Sequence, residues 1–186
     1  MLVRPRISNK LRGSLGELYY KEFCDQRGWA YTSLENLYNS MNPQWVFIFK
    51  KGFHRIKVRI PEEIRNEVSL LVKPTNNFEE RPSFVFDFLA CKVSTTKNYS
   101  EVKTSDYFAW VENKTGEGIF SGSQANAMSK IKMPLAIFHI DDVLERPELI
   151  EMYYDIKSGK EWLQELVPID NEIYEFDVNT KLSKQL

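Results

Sequence analysis

The sequence predicts an α/β fold in which a mixed central sheet is flanked by helices. Three observations carry the prediction. Residues 84–92 (FVFDFLACK), 107–111 (YFAWV) and 134–140 (PLAIFHI) are apolar runs too short for core helices and too continuous for strands wetted on one face. Other segments place their apolar residues at helical spacing. Turn signals, among them Lys51-Gly52, Lys73-Pro74 and Thr115-Gly116, close successive segments.

Taken in order, residues 1–10 form a basic arm with little structure of its own. Leu15, Leu18, Tyr19 and Phe23 then recur at helical spacing, with Ser14 as N-cap and Gly28 as the stop. Glu17 falls in the first turn of that helix, at the capping-box distance from Ser14. After Trp29 the chain reads as a polar segment. Residues 45–50 (WVFIFK) and 53–60 (FHRIKVRI) flank Lys51-Gly52 as a β-hairpin. Pro61 opens a helix running to Lys73, with acids early and a base late as the helix dipole prefers. Residues 74–83 read as a linker.

The run 84–92 is expected as one central strand, yet Asp87 stands in its middle. An acid is disfavoured in a strand and seldom buried alone, so Asp87 requires a metal, a cation or a set of donors. Residues 93–106 make a polar excursion and return into the strand 107–114, which should pair antiparallel with 84–92. Side-chain alternation puts Trp110, Glu112 and Lys114 on one face of that strand and Val111 and Asn113 on the other. A carboxylate and an ammonium therefore share the end of an apolar strand, as a surface ion pair or as a site. A helix over 123–130 carries Gln124 in its first turn, and 134–140 is a fourth strand. Helices are expected around 142–156 and 159–166, and a short strand near 173–178.

Composition excludes several classes. With 186 residues, 42% hydrophobic and 27% charged, the chain reads as one globular domain spanning 1–186, with an insert at 45–73 and an extension at 141–186. No apolar run reaches the roughly 18 residues of a membrane span, and the N-terminus lacks an export core, so a cytoplasmic location without membrane contact is expected. Cys24 and Cys91 lack metal spacing and read as buried thiols, with a disulfide left open. His54 and His139 form no zinc or triad pattern.

Charge is unevenly spread. Residues 1–75 carry 13 Lys and Arg against 7 Asp and Glu, while the remainder carries 12 against 19. Lys10 and Arg12 follow the basic arm, and Lys50, Lys51, Arg55, Lys57 and Arg59 surround the hairpin. Such clusters suit phosphate contact, and they also suit a solvated edge strand.

Gly16-Glu17 in a helix, Asp87 in FVFDFLACK, Glu112 and Lys114 in VENKTG, and Gln124 in SGSQANAM occur in an order that resembles the PD-(D/E)XK nuclease superfamily. Among its branches the chain is most similar to small archaeal Holliday-junction resolvases and related archaeal viral nucleases. The likeness covers the first helix and residues 84–140. It departs from the pattern in two places, since Pro82 lies five residues ahead of Asp87 and Asn113 replaces an apolar residue. The resemblance implies a restriction-endonuclease-like αβββαβ core and a Mg²⁺-dependent DNA endonuclease, with Mn²⁺ as substitute, acting on junction or branched DNA as a homodimer. It implies Asp87 and Glu112 as metal ligands, Glu17 completing the acidic metal site through a second metal or a water, Lys114 orienting or helping to deprotonate water and stabilising charge, and Gln124 positioning water or Lys114. Hard cations prefer such oxygen ligands. The competing expectation is a nucleic-acid-binding protein that keeps the fold without cutting.

Overall fold

A computed structural model of the chain describes residues 8–73, 82–93, 98–116, 120–142, 146–154 and 162–166. In chain order the elements are α1 (Asn9–Arg27), β1 (Trp29–Ser33), α2 (Leu34–Asn39), β2 (Val46–Lys51), β3 (His54–Arg59), α3 (Glu62–Val68), β4 (Val72–Lys73), β5 (Ser83–Phe84), β6 (Phe88–Lys92), β7 (Val102–Lys103), β8 (Phe108–Thr115), α4 (Gly122–Met128), β9 (Leu135–Asp142), β10 (Arg146–Tyr154) and β11 (Trp162–Leu166). Nine strands form one sheet in the order β11-β10-β9-β8-β6-β1-β2-β3-β7. The sheet is mixed: β8 runs parallel to β9, and β3 to β7, while the remaining neighbours are antiparallel.

Helices cover both faces. On one, Tyr20, Phe23 and Cys24 of α1 pack on Tyr31, Phe88, Ala109, Val111 and Phe138. On the other, Ile64 and Val68 of α3 and Ala127 and Met128 of α4 pack on Leu89, Trp110, Leu135 and Ile137. Trp110 and Val111 thus lie on opposite faces, as alternation requires. The connection β8-α4-β9 is a crossover between parallel neighbours, which needs an intervening helix to return the chain to the same end of the sheet. The hairpin β2-β3 extends the sheet beyond β1, with Phe47, Phe49, Ile56 and Val58 turned into the core.

Several expectations need correction. Helix α1 begins at Asn9, capped by Ser8, whose hydroxyl accepts from the Leu11 amide at 3.2 Å. Ser14 is inside the helix and donates to the Lys10 carbonyl, so Glu17 sits two turns in rather than at the N-terminus. The stop at Gly28 holds, with φ +69°. Residues 29–33, expected as polar connection, form a buried strand at the centre of the sheet: Trp29-Ala-Tyr-Thr has the aromatic and β-branched character for it. The expected strand 84–92 is broken at 85–87. Val85 turns aside to donate to the Leu71 carbonyl, leaving Asp87 at the bend that opens β6 rather than mid-strand. The helix after Pro61 ends at Val68, and Val72–Lys73 pair instead with Ser83–Phe84.

Where the segments expected as helices at 142–156 and 159–166 are described, at Arg146–Tyr154 and Trp162–Leu166, they are strands. The outer edge of β9 would otherwise present unpaired amides and carbonyls, and β10 satisfies them along seven paired positions. Pro147, which has no amide to donate, falls where the register shifts between Arg146 and Leu149. The arm at 1–7 and the strand expected near 173–178 lie outside the described residues. Among the described residues no helix is long and apolar enough to cross a membrane.

Candidate active site

The register of β6 on β8 creates the site. Phe88 pairs with Val111, so Asp87, one residue earlier, meets the segment of β8 that follows. Its amide donates to the Val111 carbonyl at 2.9 Å, and its Oδ2 accepts from the Asn113 amide at 2.8 Å. Its carbonyl accepts from the Leu34 amide at the start of α2. Asp87 is therefore held by backbone contacts on both sides. Because a residue's N–H and C=O leave a strand on the same side, the Asn113 carbonyl also points toward Asp87, past the end of the β6 ladder.

On the α4 face, Glu112 is only 4% exposed. Its Oε1 accepts from Lys114 Nζ at 2.8 Å and from Gln124 Nε2. Gln124 ties the group together. Its Nε2 also donates to the Val85 carbonyl at 3.0 Å, and its Oε1 accepts from Lys114 Nζ at 3.0 Å and from the Ser121 amide at 2.9 Å. The Ser121 hydroxyl in turn accepts from the Gln124 amide at 3.3 Å, completing a capping box at the start of α4. A glutamine side chain has two N–H donors and two acceptor lone pairs, and all are in use. Gln124 consequently positions Lys114 and Glu112 and has no group left for a water. The Lys114 ammonium lies over the Phe120 ring, 4.9 Å from its centroid, a cation–π contact.

Glu17 approaches from α1. Gly16 makes this possible, because a Cβ there would meet Thr115 Cγ2 of β8 at 2.7 Å. The Glu17 carboxylate pairs with Lys21 at 3.2 Å, and its negative charge is felt at Asp87. Burial is the main cause that pushes Asp87 up from 3.8 to about 6; Glu17 adds to the rise, while the Asn113 amide and the Lys114 charge oppose it. Burial also pushes Glu112 up from 4.5 to about 8, reinforced by Asp87 and opposed by Lys114 and Gln124. One ammonium does not compensate the acids gathered here.

Among the described residues no three of His, Cys, Asp and Glu are grouped closely enough to form a metal cage. The Glu17 carboxylate is engaged by Lys21. The donor set that remains, two carboxylates and the Asn113 carbonyl, is all oxygen and deficient in positive charge, which fits a hard divalent cation that keeps most of its waters.

The nucleic-acid candidates divide. Lys50, Arg55, Lys57 and Arg59 are exposed on the hairpin, on the face opposite its core residues, and Lys10 and Arg12 are exposed near the start of α1. Lys51 differs, because its ammonium donates to the Val93 carbonyl at 2.6 Å and burial lowers its pKa. Cys24 and Cys91 are both buried and form no disulfide.

The sequence reading overlooked Glu67. This buried acid of α3 accepts from Trp110 Nε1 at 2.8 Å and from the Met133 amide at 3.1 Å, with the Lys132 amide as a third donor. It locks α3 and the approach to β9 onto β8 two residues ahead of Glu112. Its signal was an acid on the inward stripe Ile64, Val68 and Leu71. No family model, curated protein or solved structure matches this chain.

Proposed function

We propose that this chain is a metal-dependent DNA endonuclease of the PD-(D/E)XK type, hydrolysing phosphodiester bonds. The reading is supported by the order α1, β1, β6, β8, α4 and β9, which is αβββαβ once α2, the hairpin, α3 and the short strands β4, β5 and β7 are set aside. The observation that carries the reading is the convergence of Asp87, Glu112 and Lys114, with Gln124 bracing the last two, in a buried and electropositive-deficient corner.

Bound Mg²⁺ or Mn²⁺ would neutralise charge developing on the phosphate and supply an activated water. Asp87, Glu112 and the Asn113 carbonyl would hold it. Lys114 has three N–H donors, of which Glu112 and Gln124 take two. The third is left for a phosphate oxygen or the attacking water, where a fixed positive charge stabilises the transition state. Glu17, facing Asp87 from α1, would complete the acidic cluster through water. The products expected by analogy carry a 5′-phosphate and a 3′-hydroxyl. A two-fold dimer would supply paired cuts on a branched substrate.

The test is a labelled panel of four-way junction, flap, linear duplex and single strand, with Mg²⁺, Mn²⁺ or EDTA. Cleavage should require metal and fall by at least about 100-fold in Lys114→Ala. A wild type that binds these DNAs and cuts none of them would favour the non-cutting alternative.

A further inference from the structure

A groove of about 810 Å³ opens on the α1 face of the sheet and runs across the strands. It starts at Glu17 and Phe88, beside Asp87, crosses Tyr31 of β1, and ends at Ile48 and Lys50 of β2 and Arg55 of β3. Its charge is graded. Glu17 and Glu35 stand toward the end near Asp87, where Lys21 pairs with Glu17 at 3.2 Å, and the cations Lys50 and Arg55 stand without an acid in the lining at the hairpin end, with Lys57 and Arg59 continuing along β3. Its floor is apolar in part: Ile48 is 51% exposed there, directly opposite Lys57 in the hairpin ladder. Tyr31 is 4% exposed, and its hydroxyl has no hydrogen-bond partner among the described residues. A buried tyrosine hydroxyl usually finds a partner, so this one lacks something.

We propose that the groove seats a single, unpaired polynucleotide strand whose phosphates meet Lys50 and Arg55, whose bases rest on Ile48 and reach the Tyr31 hydroxyl, and whose path leads to Asp87. The identity of the far end as a cleavage site rests on the nuclease reading above; the groove itself does not. A duplex keeps its bases stacked inside and offers only phosphates, so it would bridge the rim and leave the apolar floor wet. An unpaired strand can place both kinds of surface at once. Grooves for single strands combine a cationic track for the backbone with contacts to the faces of the bases. The volume lies within the range of roughly 300–1,000 Å³ that encloses organic groups. The substrate class implied is a strand that is single-stranded next to the scissile phosphate, such as a flap, an overhang or a splayed junction arm.

The experiment measures binding by fluorescence anisotropy in EDTA, with labelled oligothymidylate, oligouridylate and a mixed-sequence duplex of equal length. The full chain should bind one or both single strands at least about tenfold more tightly than the duplex. Tyr31→Phe removes one hydroxyl and leaves the ring, so its melting temperature should be unchanged or higher while single-strand affinity falls severalfold. Joint replacement Lys50→Ala, Arg55→Ala changes only exposed side chains, and should weaken binding and reduce the salt slope by about 1.4, some 0.7 per cation. Equal or tighter duplex binding, or single-strand binding that neither variant weakens, overturns the proposal. Cleavage is scored separately. Groove-dependent binding without metal-dependent cutting defeats the nuclease reading alone, and cutting that ignores the groove variants defeats the groove alone.

Discussion

In the absence of divalent cations this protein should become less stable as pH rises from 5 to 8. Asp87 goes from 3.8 to about 6 on folding and Glu112 from 4.5 to about 8. Between those limits the folded chain holds protons that the unfolded chain has released, so stability falls with rising pH across the window and is level below about 4. At 1.36 kcal/mol for each pH unit, the shifts correspond to roughly 3 kcal/mol for Asp87 and roughly 5 kcal/mol for Glu112. The two acids repel each other, which makes the contributions interdependent, and a loss on the order of 5 kcal/mol is the expected scale. That is comparable with the entire stability of many small domains. Urea denaturation in EDTA at pH 5 and pH 8 reads it directly, with Glu112→Gln as the comparison. The wild type should lose several kcal/mol more than Glu112→Gln over this interval, and Mg²⁺ or Mn²⁺ should restore stability at pH 8 and have little effect at pH 5. Wild-type stability that is flat relative to the variant, or a metal effect larger at pH 5, would refute the reasoning.

Other outcomes follow from the contacts. Gln124→Ala strips partners from Glu112, Lys114, the Val85 carbonyl and the Ser121 amide; it should cost about 2–3 kcal/mol in denaturant titration and reduce cleavage more than that loss explains. Glu67→Ala leaves Trp110 Nε1 and two backbone amides unpaired, and a fall of about 3–5 kcal/mol is expected, with Glu67→Gln recovering part of it. Gly16→Ala gains about 1 kcal/mol of helix propensity but drives a methyl into Thr115, so the melting temperature should drop; pairing it with Thr115→Ser, which removes the obstructing methyl, should reverse the sign.

The acids were legible because a charged residue in an apolar strand has few cheap explanations. Alternation alone placed Glu112 and Lys114 on one face and Asn113 on the other, and Gln124 was legible in the first turn of a helix, although its capping box with Ser121 starts that helix earlier than the expected Ser123. What escaped was mostly non-local. The strand at 29–33 is short and lies between a helix stop and a cap, and only its pairing with β6 and β2 makes it central. The bend at 85–87 depends on Leu71 taking the Val85 amide, a contact between segments far apart in sequence. Helical character around 142–156 was overridden by the open edge of β9. Gly16 was noticed beside Glu17, but its reason, close approach to Thr115, needed the packing of α1 on β8. Ser14 and Glu17 matched a capping box by spacing, yet Ser8 starts the helix earlier and leaves Glu17 free to face Asp87.

The central claim is that Asp87, Glu112 and Lys114 cut phosphodiesters with a divalent cation. Single-turnover cleavage of a labelled flap substrate with Mn²⁺ tests it most directly, comparing wild type with Asp87→Ala, each first shown to be folded. The account predicts wild-type cutting that leaves a 5′-phosphate and vanishes in EDTA, and loss of both cutting and Mn²⁺ binding in the variant. Cutting that survives Asp87→Ala, or that proceeds in EDTA, would contradict it.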